Sequence, residues 1–400
     1  MPHDSSRLTK TRIHIHDLRY IALSGGKPHL IAGLVALILL ALGGDPPAQP
    51  HWMVNLDQKY GYESFDRGFS RNWYSQQGVV FLSDDKLAVF QIIQTPRITL
   101  GRRNATGGAG NFVLQIEVLD AADGHELKSL RLPTSGLIGQ IVPTHDGMFL
   151  VRAGDILYLY SQDFREVASK SLPLDPGQPQ RWEIKTSPSG KAIFAAREYL
   201  SGLLWENNKD KPATVELLNA DTLGVINTFT VQRLLGWSAD EDVILCWDPV
   251  LNRGFGLLDS EGKWTQIERS VYEDRLGRAS AVQVLSHGRL GIFGLSDLSV
   301  VVPPKQEVFS RFKGGRYFSV IKNSDDFLAT LIFDGFPRYA DGKLTGVTSA
   351  QIELYDLRVK RKLIELPIPE LIPGFSVSAK GDLAIVHGNK LEVFENRALQ

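Results

Sequence analysis

Arginine, tryptophan and tyrosine crowd three stretches of this sequence, and these side chains dominate binding energy at interfaces. Residues 95–110 hold Arg97, Arg102 and Arg103; residues 197–212 hold Tyr199, Trp205 and Lys209; residues 334–348 hold Phe336, Arg338 and Tyr339. Each stretch separates two short apolar runs. Each therefore predicts a long loop on a rigid scaffold, the usual place for functional side chains. Arg102, Arg103, Arg197, Trp205, Asp334 and Arg338, joined by Trp182 and Trp237 at the starts of nearby strands, form one candidate ligand- or partner-binding face.

Catalytic and metal chemistry has less support. The nine His residues are scattered, and no His/Cys/carboxylate spacing matches a zinc site. His145 and His287 lie in turns, and His14 and His16 precede an apolar segment. Asp84-Asp85 and Asp325-Asp326 also occupy turns, with no calcium-binding loop after them, so no metal site is expected. No Gly-x-Ser-x-Gly occurs, and Ser286-His287 in one turn does not define a triad, which is assembled in space. Gly107-Gly108-Ala109-Gly110 precedes no helical pattern and reads as a loop, not a phosphate cradle. Cys246 is the single cysteine, so no intramolecular disulfide forms. Its apolar run, Val243-Ile244-Leu245-Cys246-Trp247, marks it as a small buried hydrophobe. A net charge of −1 lacks the basic excess of a nucleic-acid binder. No cofactor is expected.

A repeat must position the three stretches. Leu82-Ser83-Asp84-Asp85-Lys86-Leu87 places turn-forming residues before a new apolar run, and similar turns recur at 144–149, 187–192, 238–243, 285–290, 323–328 and 378–383. A second hairpin follows each one. Ile116-Glu117-Val118-Leu119 leads into Asp120-Ala121-Ala122-Asp123-Gly124, and comparable runs precede Ser161, Asn219, Asp259, Pro303, Asp356 and Glu395. Two hairpins make a four-stranded antiparallel unit. Units recur every ~40–60 residues, the period of propeller blades. The expected fold is all-β: a seven-bladed β-propeller of four-stranded antiparallel blades, with two packed sandwich domains as the alternative. The seventh unit ends after its third strand, so a segment before Gly78, such as Trp52-Met53-Val54-Asn55-Leu56, is needed to complete it.

These units resemble those of WD40 and YVTN-type β-propellers. Ser187-Pro188-Ser189-Gly190 resembles their Ser-Pro-Asp-Gly turn, and Leu119-Asp120 and Tyr355-Asp356 stand where WD40 repeats carry Trp-Asp. The resemblance covers roughly residues 78–396 and implies the fold, not a function. Asp259-Ser260-Glu261-Gly262-Lys263-Trp264 resembles part of the tryptophan-docking motif of pyrroloquinoline-quinone propellers, but the equivalent hairpin at Asp123-Gly124-His125-Glu126 has no Trp.

Residues 30–44, Leu-Ile-Ala-Gly-Leu-Val-Ala-Leu-Ile-Leu-Leu-Ala-Leu-Gly-Gly, carry no charge and follow Arg7, Lys10, Arg12, Arg19 and Lys27. A basic flank, an apolar run and a small-residue exit are the parts of an export signal or membrane anchor. The expected organisation is a basic tail at 1–29, a signal or transmembrane helix at 30–44, a linker with the closing strand at 45–77 and the propeller at 78–400. The expected role is an exported or membrane-tethered scaffold that binds a protein or small ligand. An extracytoplasmic hydrolase or oxidoreductase is the alternative.

Overall fold

Runs of Val, Ile, Leu and Phe broken at short intervals by Asp, Asn, Ser and Gly favour strands over helices. The computed structural model describes residues 48–62, 77–95, 111–135, 139–175, 180–187, 190–201, 206–207, 213–231, 233–237, 244–248, 254–259, 261, 263–266, 281–285, 289–293, 297–302, 305–311, 316–324, 326–340, 343–368, 374–387 and 389–396. They belong to one unit, 48–400. The chain enters it through β1 (Trp52–Asn55) and the short helix α1 (Leu56–Tyr60), which ends at Gly61 in the left-handed region.

The first sheet holds β2 (Gln77–Phe81), β3 (Lys86–Thr95), β4 (Asn111–Asp120) and β5 (Glu126–Thr134); the second holds β6 (Gly139–Pro143), β7 (Phe149–Ala153), β8 (Ile156–Tyr160) and β9 (Glu166–Ser171). The third orders β10 (Gln180–Thr186), β11 (Ala192–Ser201), β13 (Ala213–Asn219) and β14 (Val225–Val231), with β12 (Glu206–Asn207) added to β11. The fourth comprises β15 (Arg233–Trp237), β16 (Ile244–Asp248), β17 (Gly254–Leu258) and β18 (Trp264–Gln266). The fifth comprises β19 (Ala281–Val284), β20 (Leu290–Phe293), β21 (Asp297–Val302) and β22 (Lys305–Arg311). The sixth pairs β23 (Arg316–Ser324), β24 (Phe327–Ala340), β25 (Lys343–Asp356) and β26 (Arg361–Ile368). The seventh begins with β27 (Gly374–Val377), β28 (Leu383–His387) and β29 (Lys390–Phe394), and its fourth strand is β1. Trp52 pairs with Val393 and Asn55 with Lys390.

The first strand of each sheet touches the first strand of the next: β2, β6, β10, β15, β19, β23 and β27 follow one another, and β27 returns to β2. This arrangement is a β-propeller. The apolar clusters lie between sheets. Leu114, Ile116, Phe149 and Val151 pack between the first and second, Leu159, Trp182 and Ile193 between the second and third, and Phe327, Leu354 and Phe375 between the sixth and seventh. Each fully buried large side chain contributes about 1.5–3 kcal/mol, so the stability of the ring resides in these interfaces.

Among the described residues, tight turns close the same end of several sheets. Asp120 Oδ1 accepts the Ala122 N–H at 2.7 Å, Asn219 Oδ1 accepts that of Asp221 at 2.9 Å, and Asp259 Oδ1 accepts that of Lys263 at 2.8 Å. Burial pushes the Asp356 carboxyl upward. Hydrogen bonds from the Arg358 side chain and from the N–H groups of Arg358 and Val359 outweigh burial and hold it below the ordinary carboxylate range. Neighbouring sheets are tied together at this end. Lys86 Nζ donates to Gln162 O at 3.5 Å, His145 Nε2 lies 3.3 Å from Asp221, and Arg289 Nη2 lies 2.6 Å from Asp326. Gly190 turns here at φ 71°, and a Cβ on it would collide with the His145 backbone nitrogen, so glycine meets two demands at once.

The opposite end carries the long connections, and in two of the three expected loops the described residues there form strands. β24 and β25 run fourteen residues each, pairing Arg338 with Thr345 and Ala340 with Lys343. Register shifts around Gly335 to Arg338, where Phe336-Pro337 interrupts the ladder, hide this hairpin from a strict period-2 reading. β11 likewise continues to Ser201 and pairs Leu200 with Asn207 of β12. Residues 96–110 lie outside the described residues, as do the basic tail 1–29 and the apolar segment 30–44. Among the described residues no helix is long and apolar enough to cross a membrane.

Candidate partner-binding face

Antiparallel order puts the connection between second and third strands at the same end of a sheet as the connection to the next sheet. The β11–β12 and β24–β25 hairpins therefore share one face of the ring with the segments that enter β10 and β23. The most fully described part of that face lies where the second and third sheets meet. Alternation along β10 sends Trp182 and Ile184 into the core shared with the second sheet, and leaves Arg181, Glu183 and Lys185 on the other side.

Trp182 is 4% exposed, and its indole N–H donates to Pro173 O at 3.1 Å. The Trp182 carbonyl accepts from Arg152 Nη1 at 2.5 Å, and Arg152 Nε donates to Gly154 O at 3.0 Å. Buried Arg152 thus ties the end of β7 to the start of β10. Arg197, on β11 opposite Trp182, sets its guanidinium 5.9 Å from the Trp182 ring centre. Its Nη1 donates to Asp175 Oδ1 at 3.2 Å. Asp175 is held in turn by Gln180, which donates to Asp175 Oδ2 and accepts the Asp175 N–H, both at 2.8 Å. Arg197 is a half-buried cation fixed on an aromatic face, an arrangement that meets a partner with little further ordering. Next to it, Arg181 donates to buried Glu198 through Nε at 2.8 Å and Nη2 at 2.7 Å, and Lys185 Nζ lies 2.6 Å from Glu183. Those charges neutralise one another along β10.

No protein-family model matches the chain, and no curated protein matches it. Among solved structures the chain is similar to the WD40 domain of Pan2 from Neurospora crassa, at 10% identity over 88% of this chain and 98% of that one, with a TM-score of 0.40. It is also similar to the β-propeller domain of the Trilobed protease from Pyrococcus furiosus, at 12% identity over 82% of this chain and 95% of that one, TM-score 0.47. Apo AztD from Citrobacter koseri is a third, at 12% identity over 72% of this chain and 90% of that one, TM-score 0.42. These likenesses concern the fold alone.

Of the eight residues proposed from the sequence, Trp182 and Arg197 come together. Trp182 acts as a packed support for Arg197, and its ring is not open to solvent. Asp334 is half-buried on β24, opposite Arg316, and accepts from Ser349 Oγ at 2.5 Å. Arg338 stands further out on the same hairpin. Trp237 does not start its strand as expected: it is the last residue of β15, in register with Ile244 at the start of β16, and so lies at the opposite end of its sheet from the candidate face. Arg102, Arg103 and Trp205 lie outside the described residues. Trp264, the aromatic of the quinone-type motif, lies against Gly256 and packs on the Ala192–Phe194 cluster, where it serves the interface between third and fourth sheets.

The sequence reading passed over Asp175, Gln180 and Arg152, whose isolated polar positions carry no periodic signal. It also passed over a glutamate three residues before the turn residue of several third strands: Glu117, Glu216, Glu353 and Glu392. Glu216 lies 3.3 Å from Lys170 of the second sheet, and Glu392 lies 3.0 Å from His387. Their equal spacing from Asp120, Asn219, Asp356 and Glu395 is the signal that finds them. Among the described residues one group has metal-like composition, Asp120, Asp123 and His125, with ligand atoms within 4.8 Å. It is an exposed turn, in which Asp123 Oδ1 accepts the His125 N–H at 2.9 Å.

Proposed function

We propose that the chain is an exported or membrane-tethered, seven-bladed propeller that serves as a ligand- or protein-binding scaffold, and that it engages its partner through the hairpin-bearing face. The observation that carries this reading is the asymmetry of the ring. Among the described residues one face carries short, self-capped turns, while the other lengthens β24 and β25 to fourteen residues each and holds Arg197 ready on Trp182. Rigid extensions on one face of a scaffold supply contact area at low ordering cost. The uncharged run at 30–44 behind a basic flank supports export. An enzymatic reading would draw on Arg181, Glu183 and Glu198, but their mutual ion pairs favour structure over catalysis.

The test is site-specific photocrosslinking in the cells that make the protein. A photoreactive residue at Arg338 is expected to yield a discrete adduct that the same probe at exposed Asp163, on the tight-turn face, does not. Matching adducts from both positions, or none from Arg338, would sink the reading. A phosphatase reporter active only outside the cytoplasm, fused after Gln400, tests export separately. Reporter activity supports export, and an inactive but intact fusion refutes it.

A further inference from the structure

Residues 52–62 staple two sheets together. On the seventh sheet β1 pairs with β29, Asn389 O accepts the Leu56 N–H at 2.6 Å, and the Asn389 side-chain amide donates to Asp57 at 3.0 Å. On the first sheet the Trp52 indole donates to Ala121 O at 2.8 Å and the Tyr62 hydroxyl to Val89 O at 3.1 Å. Gln115 donates to Tyr60 O at 3.2 Å. Almost every one of these bonds ends on a neutral carbonyl, so none of those is sensitive to pH.

Glu117, beneath the staple, is the exception. It is 2% exposed, and its Oε2 is buried with no hydrogen-bond partner. Its counterparts on other sheets have a basic neighbour: Lys362 lies 3.2 Å from Glu353, Lys170 3.3 Å from Glu216 and His387 3.0 Å from Glu392. Glu117 forms no ion pair among the described residues. From β4 it meets Gln115, from β5 Ser129, Glu126 and Arg131, and from the staple Tyr60 and Tyr62. Glu126 and Arg131 are exposed and act in opposite senses. Lys59, the staple's cation, is engaged elsewhere, 3.4 Å from Gly124 O and 5.1 Å from the Tyr60 ring centre. The Tyr60 hydroxyl is also buried without a partner.

We propose that residues 52–62 form a proton-gated staple, which binds across the seventh and first sheets when Glu117 carries a proton and loosens when Glu117 is ionised. An ionised carboxylate under the staple loses water and gains no cation in return, whereas a protonated one loses far less. Burial accordingly raises the Glu117 carboxyl above its ordinary value while the staple is docked. Lifting the staple returns it to water and to that ordinary value. Docking is therefore fully favoured below the ordinary value and weakens as pH rises through the raised one. Because β1 is the fourth strand of the seventh sheet, the proton on Glu117 sets how firmly the ring is closed.

Hydrogen exchange of the full chain tests this, with rates corrected for the intrinsic effect of pH. The Leu56, Gly61 and Tyr62 amides, bonded to Asn389 O, Asp57 O and Leu56 O, report on docking. Their protection is expected to fall by up to about tenfold per pH unit above the ordinary carboxylate range and then to level off, while that of β7 stays constant. Glu117→Gln cannot ionise and is expected to hold these amides at their acid-pH protection throughout. Ser129→Lys is a second, milder variant. It sits at an exposed position directly opposite Glu117 and supplies the missing cation, so it too is expected to flatten the profile. Level protection in the unmodified chain, an equal fall in β7, or an undiminished fall in either variant would overturn the proposal.

Discussion

The first and sixth sheets carry nearly the same hexapeptide at the same place. Gln115-Ile116-Glu117-Val118-Leu119-Asp120 ends β4, and Gln351-Ile352-Glu353-Leu354-Tyr355-Asp356 ends β25. In each, the Gln side chain donates to the Glu, at 2.7 Å and 2.6 Å, and the Glu is 2% and 0% exposed. Their surroundings then diverge. Glu353 also accepts from Lys362 Nζ at 3.2 Å and from the Tyr355 hydroxyl. Position 119 is leucine, and the first sheet is covered by α1 and Tyr62. There Gln115 also donates to Tyr60 O at 3.2 Å, and the Tyr62 hydroxyl donates to Val89 O at 3.1 Å. Burial is the largest influence on Glu117 and pushes its carboxyl above the ordinary value, against opposing hydrogen bonds from Gln115 and Ser129. Burial also lifts the Tyr62 hydroxyl. The same strand sequence thus places a carboxylate in the same position, and the element laid over it decides how that carboxylate is stabilised.

The severest way to break the comparison is to remove the cover. Deleting residues 52–62 takes away fully buried Leu56, opens the seventh sheet and exposes the polar face of the first. The expected outcome is loss of a cooperative thermal transition; an unchanged Tm would show that α1 does not define the surroundings of Glu117. Next is Glu353→Gln, which removes a charged acceptor shared by Tyr355, Gln351 and Lys362. It should cost ~2 kcal/mol in denaturant unfolding, the scale of a charge-assisted bond. Tyr355→Phe should cost about 1 kcal/mol and couple to Glu353→Gln in a double-mutant cycle. Strict additivity would separate the two side chains.

The mildest effect sharpens the contrast through pH. The folded-state pKa of Glu117 lies above its unfolded value, so its protonated form favours the fold. That contribution is fully present below the unfolded pKa and is lost as pH rises through the folded one. Glu117→Gln is therefore expected to stabilise the protein by about 1 kcal/mol at neutral pH, the scale of a buried polar group in mutants, and to leave stability unchanged in acid. Loss of stability at neutral pH would show that the carboxylate is held as well as Glu353.

Turns and strands were legible because their causes are local. The Asp, Asn, Ser and Gly residues that break each apolar run are the ones whose side chains cap the turns, as at Asp120 and Asn219. The hairpin of β24 and β25 was misread as a loop because Phe336-Pro337 disturbs its alternation. The candidate face was legible only in part. Arg197 stood out by type, but Asp175 and Gln180, which hold it, come from the segment that enters β10.

The sequence alone determined the repeat, the all-strand class and the need for a closing strand, since turn chemistry and apolar alternation act over a few residues. Tertiary structure decided what depends on contacts across sheets. It selected Trp52–Asn55 as the partner of β29 and turned Trp182 inward as a support. It also set Lys362 beside Glu353, with burial outweighing hydrogen bonding at Glu117. A strand's residues specify which side chains share a face; only its neighbours specify whether that face meets carbon, charge or water.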